Sequence, residues 1–311
     1  MSNILIIKHG SLGDLIQANG AFADIKNSFK NSKVLLLTTQ NFTTFMSECP
    51  YLDGVLMDKR LPRWNLLYLM NLKKLLERYN FSHVFDLQNS GRTKFYRKFI
   101  LKSPVWCSSE TSLEKGQSKK DFDKESVLDR MEIQLKKFNI HIEKLKNIDL
   151  SWSIKDISRL LKQYTNGSYI LVFPFCSKKN SQKKWPYYKE LITRLKSYYK
   201  NKFSVLIAPG PDEIFEAKNL NAQVVLDNKK NSINLDILVS LISNSSYIIS
   251  NDSGPAHISS HLRKKGLAIF GKHTSPKKVN VGNSEFKTIE VESLKDLNVN
   301  SVLEKIKKDL N

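Results

Sequence analysis

Short, strongly apolar runs alternate with amphipathic stretches along almost the whole chain, and this alternation restricts the fold more than any other feature. ILII (4–7), VLLLTT (34–39), GVLMD (54–58) and HVFDLQ (83–88) are brief and rich in branched side chains, which suits strands buried on both faces. Between them lie DLIQANGAFADIKNSF (14–29) and NLLYLMNLKKLLERY (65–79), with apolar residues at helical spacing. Parallel neighbours need such crossovers, so the pattern predicts βαβ units. A second series follows: YILVFPF (169–175), FSVLIAPG (203–210), AQVVLD (222–227), YIISND (247–252) and GLAIFG (266–271), with helices YYKELITRLKSYYK and LDILVSLISNS between. The fold expected is α/β, two doubly wound domains in tandem. The polar stretch ahead of residue 169 places the boundary so that 1–160 and 161–311 form the two. Residues 103–126 are polar, lysine-rich and weakly periodic and predict a long mobile loop, followed by the helix VLDRMEIQLKKF.

Charge narrows the partners. The 311 residues include 50 Lys+Arg against 30 Asp+Glu, a net charge of +20. Such a field attracts polyanions: nucleic acid, an anionic membrane face or a phosphorylated glycolipid. Cys49, Cys107 and Cys176 are odd in number, far apart and in no metal-ligand spacing, so they read as packing residues of a reducing compartment. No run approaches the roughly 20 apolar residues of a membrane span, and ILII followed by Lys8 is too short for a signal peptide. A cytoplasmic location is expected, with charge able to hold the protein at a membrane surface.

Several stretches carry chemistry. In IIKHGSLGDLI a glycine-punctuated turn joins the first strand to a helix whose first turn holds Asp14, where a carboxylate serves either as a cap or as a reactive group. Neither GxGxxG nor GxxxxGK[ST] is present. In YIISNDSGPAHISSHL a strand ends at cap residues Asp252 and Ser253, Pro255 suits a helix start, and His257 follows. The bland reading is a capped helix with a satisfied histidine; the functional one is an anion site at free backbone N–H groups. FPFCSKKNSQKKWP is a basic loop able to neutralise a diphosphate, or simply a solvated face. In APGPDEIFEAKNL, Glu213 either caps a helix or accepts hydrogen bonds from ribose hydroxyls.

Taken in order, IIKHGSLGDLI, FDLQNSGRTK, KKWP, PGPDE with Ala217, NDSGPAHISSHL and IFGKHTSPKK resemble glycosyltransferase family nine, the lipopolysaccharide heptosyltransferases. The resemblance implies the GT-B fold: two facing Rossmann-like domains with a cleft between them, the N-terminal one binding acceptor and the C-terminal one the nucleotide sugar. It implies an inverting, metal-independent transfer in which Asp14 is the general base and Lys183 meets the donor phosphates, with Lys184 as its possible stand-in. Donor contacts carried over are Ser11, Gly13, Glu213 for the ribose, Asp252, Ser253, Gly254 and His257 for the diphosphate, and Thr274 of the turn containing Gly271 and Pro276. Gly10, Gly20, Asn89, Phe175 and Cys176 depart from the family's usual residues, and GKHTSP is one residue longer than the usual turn.

No cofactor is implied beyond the co-substrate, expected to be ADP-heptose. The expected partner is an anionic inner-core glycolipid of the Kdo-lipid A type at the cytoplasmic face of the inner membrane. Lys59, Arg60, Arg63, Gln88 and Arg92 are the acceptor candidates, since guanidinium groups suit carboxylates and phosphates. The alternatives are a same-fold transferase with another nucleotide sugar or surface-glycan acceptor, a member that only binds, and a nucleic-acid-binding protein. The last lacks any recognised motif and is not expected. Two-domain transferases of this fold return their last helix to the N-terminal domain, and VLEKIKKDL has the amphipathic pattern for that, as for many other roles.

Overall fold

The structure, a computed structural model, describes residues 2–200 and 202–310. The chain divides into two compact units, Met1–Trp152 and Ser153–Asn311.

In the first unit the strands are β1 (Asn3–Ile7), β2 (Lys33–Thr38), β3 (Gly54–Met57), β4 (Phe81–Asp86) and β5 (Val105–Cys107), in the order β3-β2-β1-β4-β5. All pairings are parallel. Alternate side chains serve opposite faces. Leu5, Ile7, Leu35, Leu37 and Val84 pack with Tyr68, Leu69, Leu72 and Leu76 of helix Leu66–Glu77. On the other side Phe29, which ends helix Leu12–Ser28, meets the ring of Phe85 at 5.8 Å. That helix is buried nearly all round, and Gly20 shows why: a Cβ there would lie 2.4 Å from the Lys144 carbonyl oxygen. Beside it, buried Asp24 accepts the backbone N–H groups of Glu143, Lys144 and Leu145.

The second unit has β6 (Tyr169–Phe173), β7 (Ser204–Ile207), β8 (Gln223–Val224), β9 (Tyr247–Asn251), β10 (Gly266–Gly271) and β11 (Phe286–Val291), ordered β11-β10-β9-β6-β7-β8 and again parallel. Trp185, fully buried, anchors its core and donates Nε1–H to the Leu297 carbonyl.

Each strand order reverses direction once, between β1 and β4 and between β6 and β9. Register aligns Ile7 with Asp86 and Phe173 with Ser250, so at each reversal two loops leave the carboxyl edge side by side. Doubly wound sheets bind ligands at such points.

Three expectations need correction. Residues 103–126 are not a structureless loop: they contain β5 and helices Ser109–Ser112 and Lys119–Phe122. The polar residues that suggested a loop are N-caps, since Ser108 and Ser118 accept from the backbone N–H of Thr111 and Asp121, while Phe122 is buried beneath. The expected strand AQVVLD shrinks to two residues of β8. β11 was missed because FKTIEV is interrupted by the exposed charges Lys287 and Glu290 and so is not a continuous apolar run. Helix Val299–Leu310 buries Val302, Leu303 and Ile306 in the core of the second unit.

Candidate active site

At the first reversal the chain leaves β1 through Lys8, His9 and Gly10 and enters helix Leu12–Ser28. Gly10 has φ +86°, and a Cβ there would meet the Phe42 ring at 2.6 Å, so this turn needs glycine. The Gln88 side-chain carbonyl accepts from the backbone N–H of His9 (2.9 Å) and Gly10 (3.3 Å), tying the loops after β1 and β4 together. Ser11 is the N-cap. Asp14 Oδ2 accepts from its backbone N–H (3.1 Å) and its hydroxyl (3.0 Å). The carboxylate therefore does cap the helix, and Gly13 is buried just before it.

Asp14 lines a cavity of about 200 Å³ with Lys8, Gln88, Asn89, Lys119 and Arg130. Lys8 is buried and donates to the Leu87 carbonyl at 2.9 Å. Burial lowers its pKa, while the carboxylates of Asp14 and Asp86 oppose that fall. Burial also raises the Asp86 pKa, against hydrogen bonds from Thr93 and from the N–H groups of Asn89 and Gln88. Asn89 Nδ2 donates to Gln134 Oε1 (2.9 Å), and Gln134 Nε2 donates to the carbonyls of Asp86 and Cys107. Sequence reasoning missed Lys8, Gln134, Lys119 and Arg130. Lys8 had a signal, a cation ending a strand at the reversal; the others come from the segment taken for a loop and the helix after it.

Of the remaining acceptor candidates, Lys59, Arg60 and Arg63 follow β3 and Arg92 follows β4, and none of them lines Asp14's cavity. Arg60 has φ +51° and donates its N–H to Asp58, Arg63 lies 5.7 Å from the Phe95 ring centre, and Arg92 donates to the Tyr96 hydroxyl (3.1 Å) and the Leu61 carbonyl (3.0 Å). Arg60 and Arg92 adjoin a buried centre. Asp58 pairs with His9 Nε2 at 2.8 Å and accepts from the hydroxyls of Tyr68 and Tyr96. Burial alone would raise its pKa, but the bonds from His9, Tyr68 and Tyr96 bring it down to about 2.

At the second reversal the loop after β6 carries Lys183 and the loop after β9 carries Asp252. Lys183 Nζ sits 2.5 Å from Asp252 Oδ2, and His273 Nε2 lies 3.3 Å from the same oxygen. Lys184 points elsewhere, pairing with Glu216 and lying 5.3 Å from the Phe175 ring centre. The register is fixed from behind: Asn251 Oδ1 accepts the Trp185 N–H and the Tyr188 hydroxyl. Helix Gly254–His261 starts here, with Ser253 as N-cap, Pro255 in its first turn and buried His257 following. The Ser253 side chain does not cap that turn; its hydroxyl lies 3.1 Å from that of Ser250. The helix start and a lysine thus converge on one strand end, an arrangement that favours anions. Thr274 follows β10, its N–H weakly bonded to Gly271. Glu213 Oε2 accepts the Gly210 N–H at 2.7 Å, so it caps the turn after β7; burial raises its pKa against that bond. His273 was missed because it sits within the lengthened turn.

A family model described as glycosyltransferase family 9 (heptosyltransferase) matches residues 69–306. The chain belongs to this family. Lipooligosaccharide heptosyltransferase 2 of Campylobacter jejuni is 25% identical over 273 residues, covering 84% of this chain and 78% of that protein. Among solved structures, the E. coli heptosyltransferase WaaC with ADP superposes with a TM-score of 0.72 at 15% identity, covering 99% of both chains. The E. coli ADP-heptose lps heptosyltransferase II gives 0.73 at 17% identity, covering 99% of this chain and 98% of that one. This family-9 glycosyltransferase therefore has the GT-B fold of two Rossmann-like domains. Among its described residues no helix is long and apolar enough to cross a membrane.

Proposed function

We propose that this glycosyltransferase moves heptose from ADP-heptose to an inner-core lipopolysaccharide acceptor of the Kdo-lipid A type, with inversion and without a metal. The observation that carries the reading is Asp14: a carboxylate held on a rigid, glycine-dependent turn at the strand reversal, lining a cavity with Lys8 and Gln88. An inverting transfer needs one positioned base. Asp14 takes the proton of the acceptor hydroxyl as its oxygen bonds to the anomeric carbon, and the bond from that carbon to the diphosphate breaks, releasing ADP. Both hydrogen bonds to Asp14 fall on Oδ2, which leaves Oδ1 to face the hydroxyl.

The N-terminal unit takes the acceptor and the C-terminal unit the nucleotide sugar. Lys183 and the helix start at Ser253 and Gly254 meet the negative charge that develops on the leaving diphosphate. The ion pair with Asp252 holds Lys183 in place until a phosphate competes for it. His257 and Thr274 belong to the same anion site, and Glu213 holds the ribose. Support for the donor comes from the relatives, one solved with ADP and another named for ADP-heptose. Lys59, Arg60, Arg63 and Arg92 suit the carboxylates and phosphates of the acceptor, and the protein works at the cytoplasmic face of the inner membrane.

The test is mass spectrometry of Kdo-bearing lipid A after incubation with ADP-heptose and the protein, beside the Asp14→Asn variant. A gain of one heptose that vanishes in the variant is expected. No gain with ADP-heptose, but transfer from another nucleotide sugar, would overturn the donor assignment.

A further inference from the structure

Exposed apolar side chains are concentrated in one place. Among the described residues twelve large hydrophobic side chains are exposed, and six of them, Met57, Leu61, Trp64, Leu66, Leu67 and Met70, fall within 14 residues of sequence. Trp64 is 79% exposed, and Leu66 and Leu67 are each 70% exposed. Helix Leu66–Glu77 explains the geometry: Tyr68, Leu69, Leu72 and Leu76 face the core, and the opposite side carries Leu66, Leu67 and Met70. An amphipathic helix ordinarily turns polar residues outward, so an outward leucine pair beside a tryptophan is a patch in want of a partner.

The surroundings say which partner. Lys59, Arg60, Arg63, Lys73, Lys74 and Arg78 are all exposed in the same stretch, against a single exposed acid, Glu77, already within 3.7 Å of Lys73; Asp58 is buried. Behind Leu67 an apolar furrow of about 520 Å³ runs between Val55, Leu56, Leu72 and Leu75, with Lys59 among its lining residues. Apolar tips ringed by cations, with tryptophan among them, match the boundary between acyl chains and anionic headgroups.

We propose that this face, from Met57 to Lys74, docks on an anionic phospholipid bilayer, with Trp64, Leu66 and Leu67 entering the headgroup region and the surrounding cations pairing with lipid phosphates. It rests on the functional reading above in one respect: a lipid-anchored acceptor would be met at that surface. The cation ring favours this occupant over a second copy of the chain, whose own net charge of +20 would repel it.

The full chain is sedimented with phosphatidylglycerol vesicles and with phosphatidylcholine vesicles, beside the triple variant Trp64→Ser/Leu66→Ser/Leu67→Ser. These side chains are exposed, so the variant is expected to melt like the parent. The parent should bind phosphatidylglycerol far better than phosphatidylcholine, should lose binding as salt rises, and should shift its Trp64 emission to the blue. The triple variant should partition at least about tenfold more weakly. Unchanged vesicle binding by the variant, or self-association of the parent that the variant abolishes, would overturn the docking surface. Transfer to a deacylated, water-soluble acceptor separates the two readings. If the variant keeps transfer but loses vesicle binding, both stand. If neither protein transfers sugar while vesicle binding behaves as stated, the surface stands and the reaction assigned above is wrong.

Discussion

Replacing Asp14 by Asn separates the two things its carboxylate does. As a cap, Oδ2 accepts from the N–H and hydroxyl of Ser11 at 3.1 and 3.0 Å. Asparagine presents a carbonyl oxygen of the same shape at the same place, so both bonds persist and only the charge at the helix start is lost. That loss costs about 0.3–1 kcal/mol, or a fall in melting temperature of about 2–4 °C per kcal/mol for a domain of this size. As a base, the amide is useless: it cannot accept the proton of the attacking hydroxyl. A positioned base contributes about 10²–10⁴-fold, equivalent to about 3–5 kcal/mol of barrier. The variant should therefore lose at least about a hundredfold in initial transfer rate, followed by mass spectrometry, while its melting temperature barely moves and calorimetry shows ADP affinity intact. Turnover within about tenfold of the parent would refute the base role and leave Asp14 a cap only. A rate loss accompanied by an equal loss of folded protein would do the same.

Lys183→Ala leaves Asp252 buried with only His273 beside it, so ADP affinity should fall by about 1.5–3 kcal/mol and the protein should also melt earlier. Lys184→Ala removes a half-exposed pair with Glu216 and the contact with the Phe175 ring and should change either by less than about 1 kcal/mol; calorimetry reversing that order would show the wrong lysine assigned. Glu213→Ala is expected to weaken ADP binding by about 1–3 kcal/mol, and unchanged affinity would restrict Glu213 to capping Gly210. Asp58 tests the buried centre. Its pKa is about 2 rather than the usual 3.8, so the native state gains stability at pH above the unfolded value and loses it as pH falls toward 2. The gap is worth roughly 2–3 kcal/mol. Asp58→Asn should be less stable by about that amount at pH 7, and the difference should shrink below pH 4. Urea unfolding followed by tryptophan fluorescence reads it, and a difference independent of pH would contradict the network.

Local pattern made much of this protein legible. Buried parallel strands write themselves as short apolar runs, so ILII and GLAIFG could be placed to within a residue. Glycine and proline mark where the chain must turn, and that put Asp14, Lys183, Glu213 and Asp252 at strand ends before any contact was known. Where one signal had two meanings, the sequence misled. Ser108 and Ser118 look like loop residues because the atoms that make serine a good cap are the ones that make it polar. FKTIEV carries exposed Lys287 and Glu290 among its apolar residues because β11 lies at the edge of its sheet, so it does not write itself as an apolar run.

The alternation of runs and helices thus determined by itself that the chain is a pair of doubly wound sheets, and the glycine-marked turns determined which residues stand at their carboxyl edges. Tertiary structure alone decided that Gln88 grips the turn before Asp14, that Lys183 rather than its neighbour reaches Asp252, that His273 joins them, and that the final helix fills the core of the second unit. Periodicity and capping are properties of residues a few positions apart and so can be read along a chain. A contact between residues 79 or 69 positions apart exists only once strand order and register have brought them together.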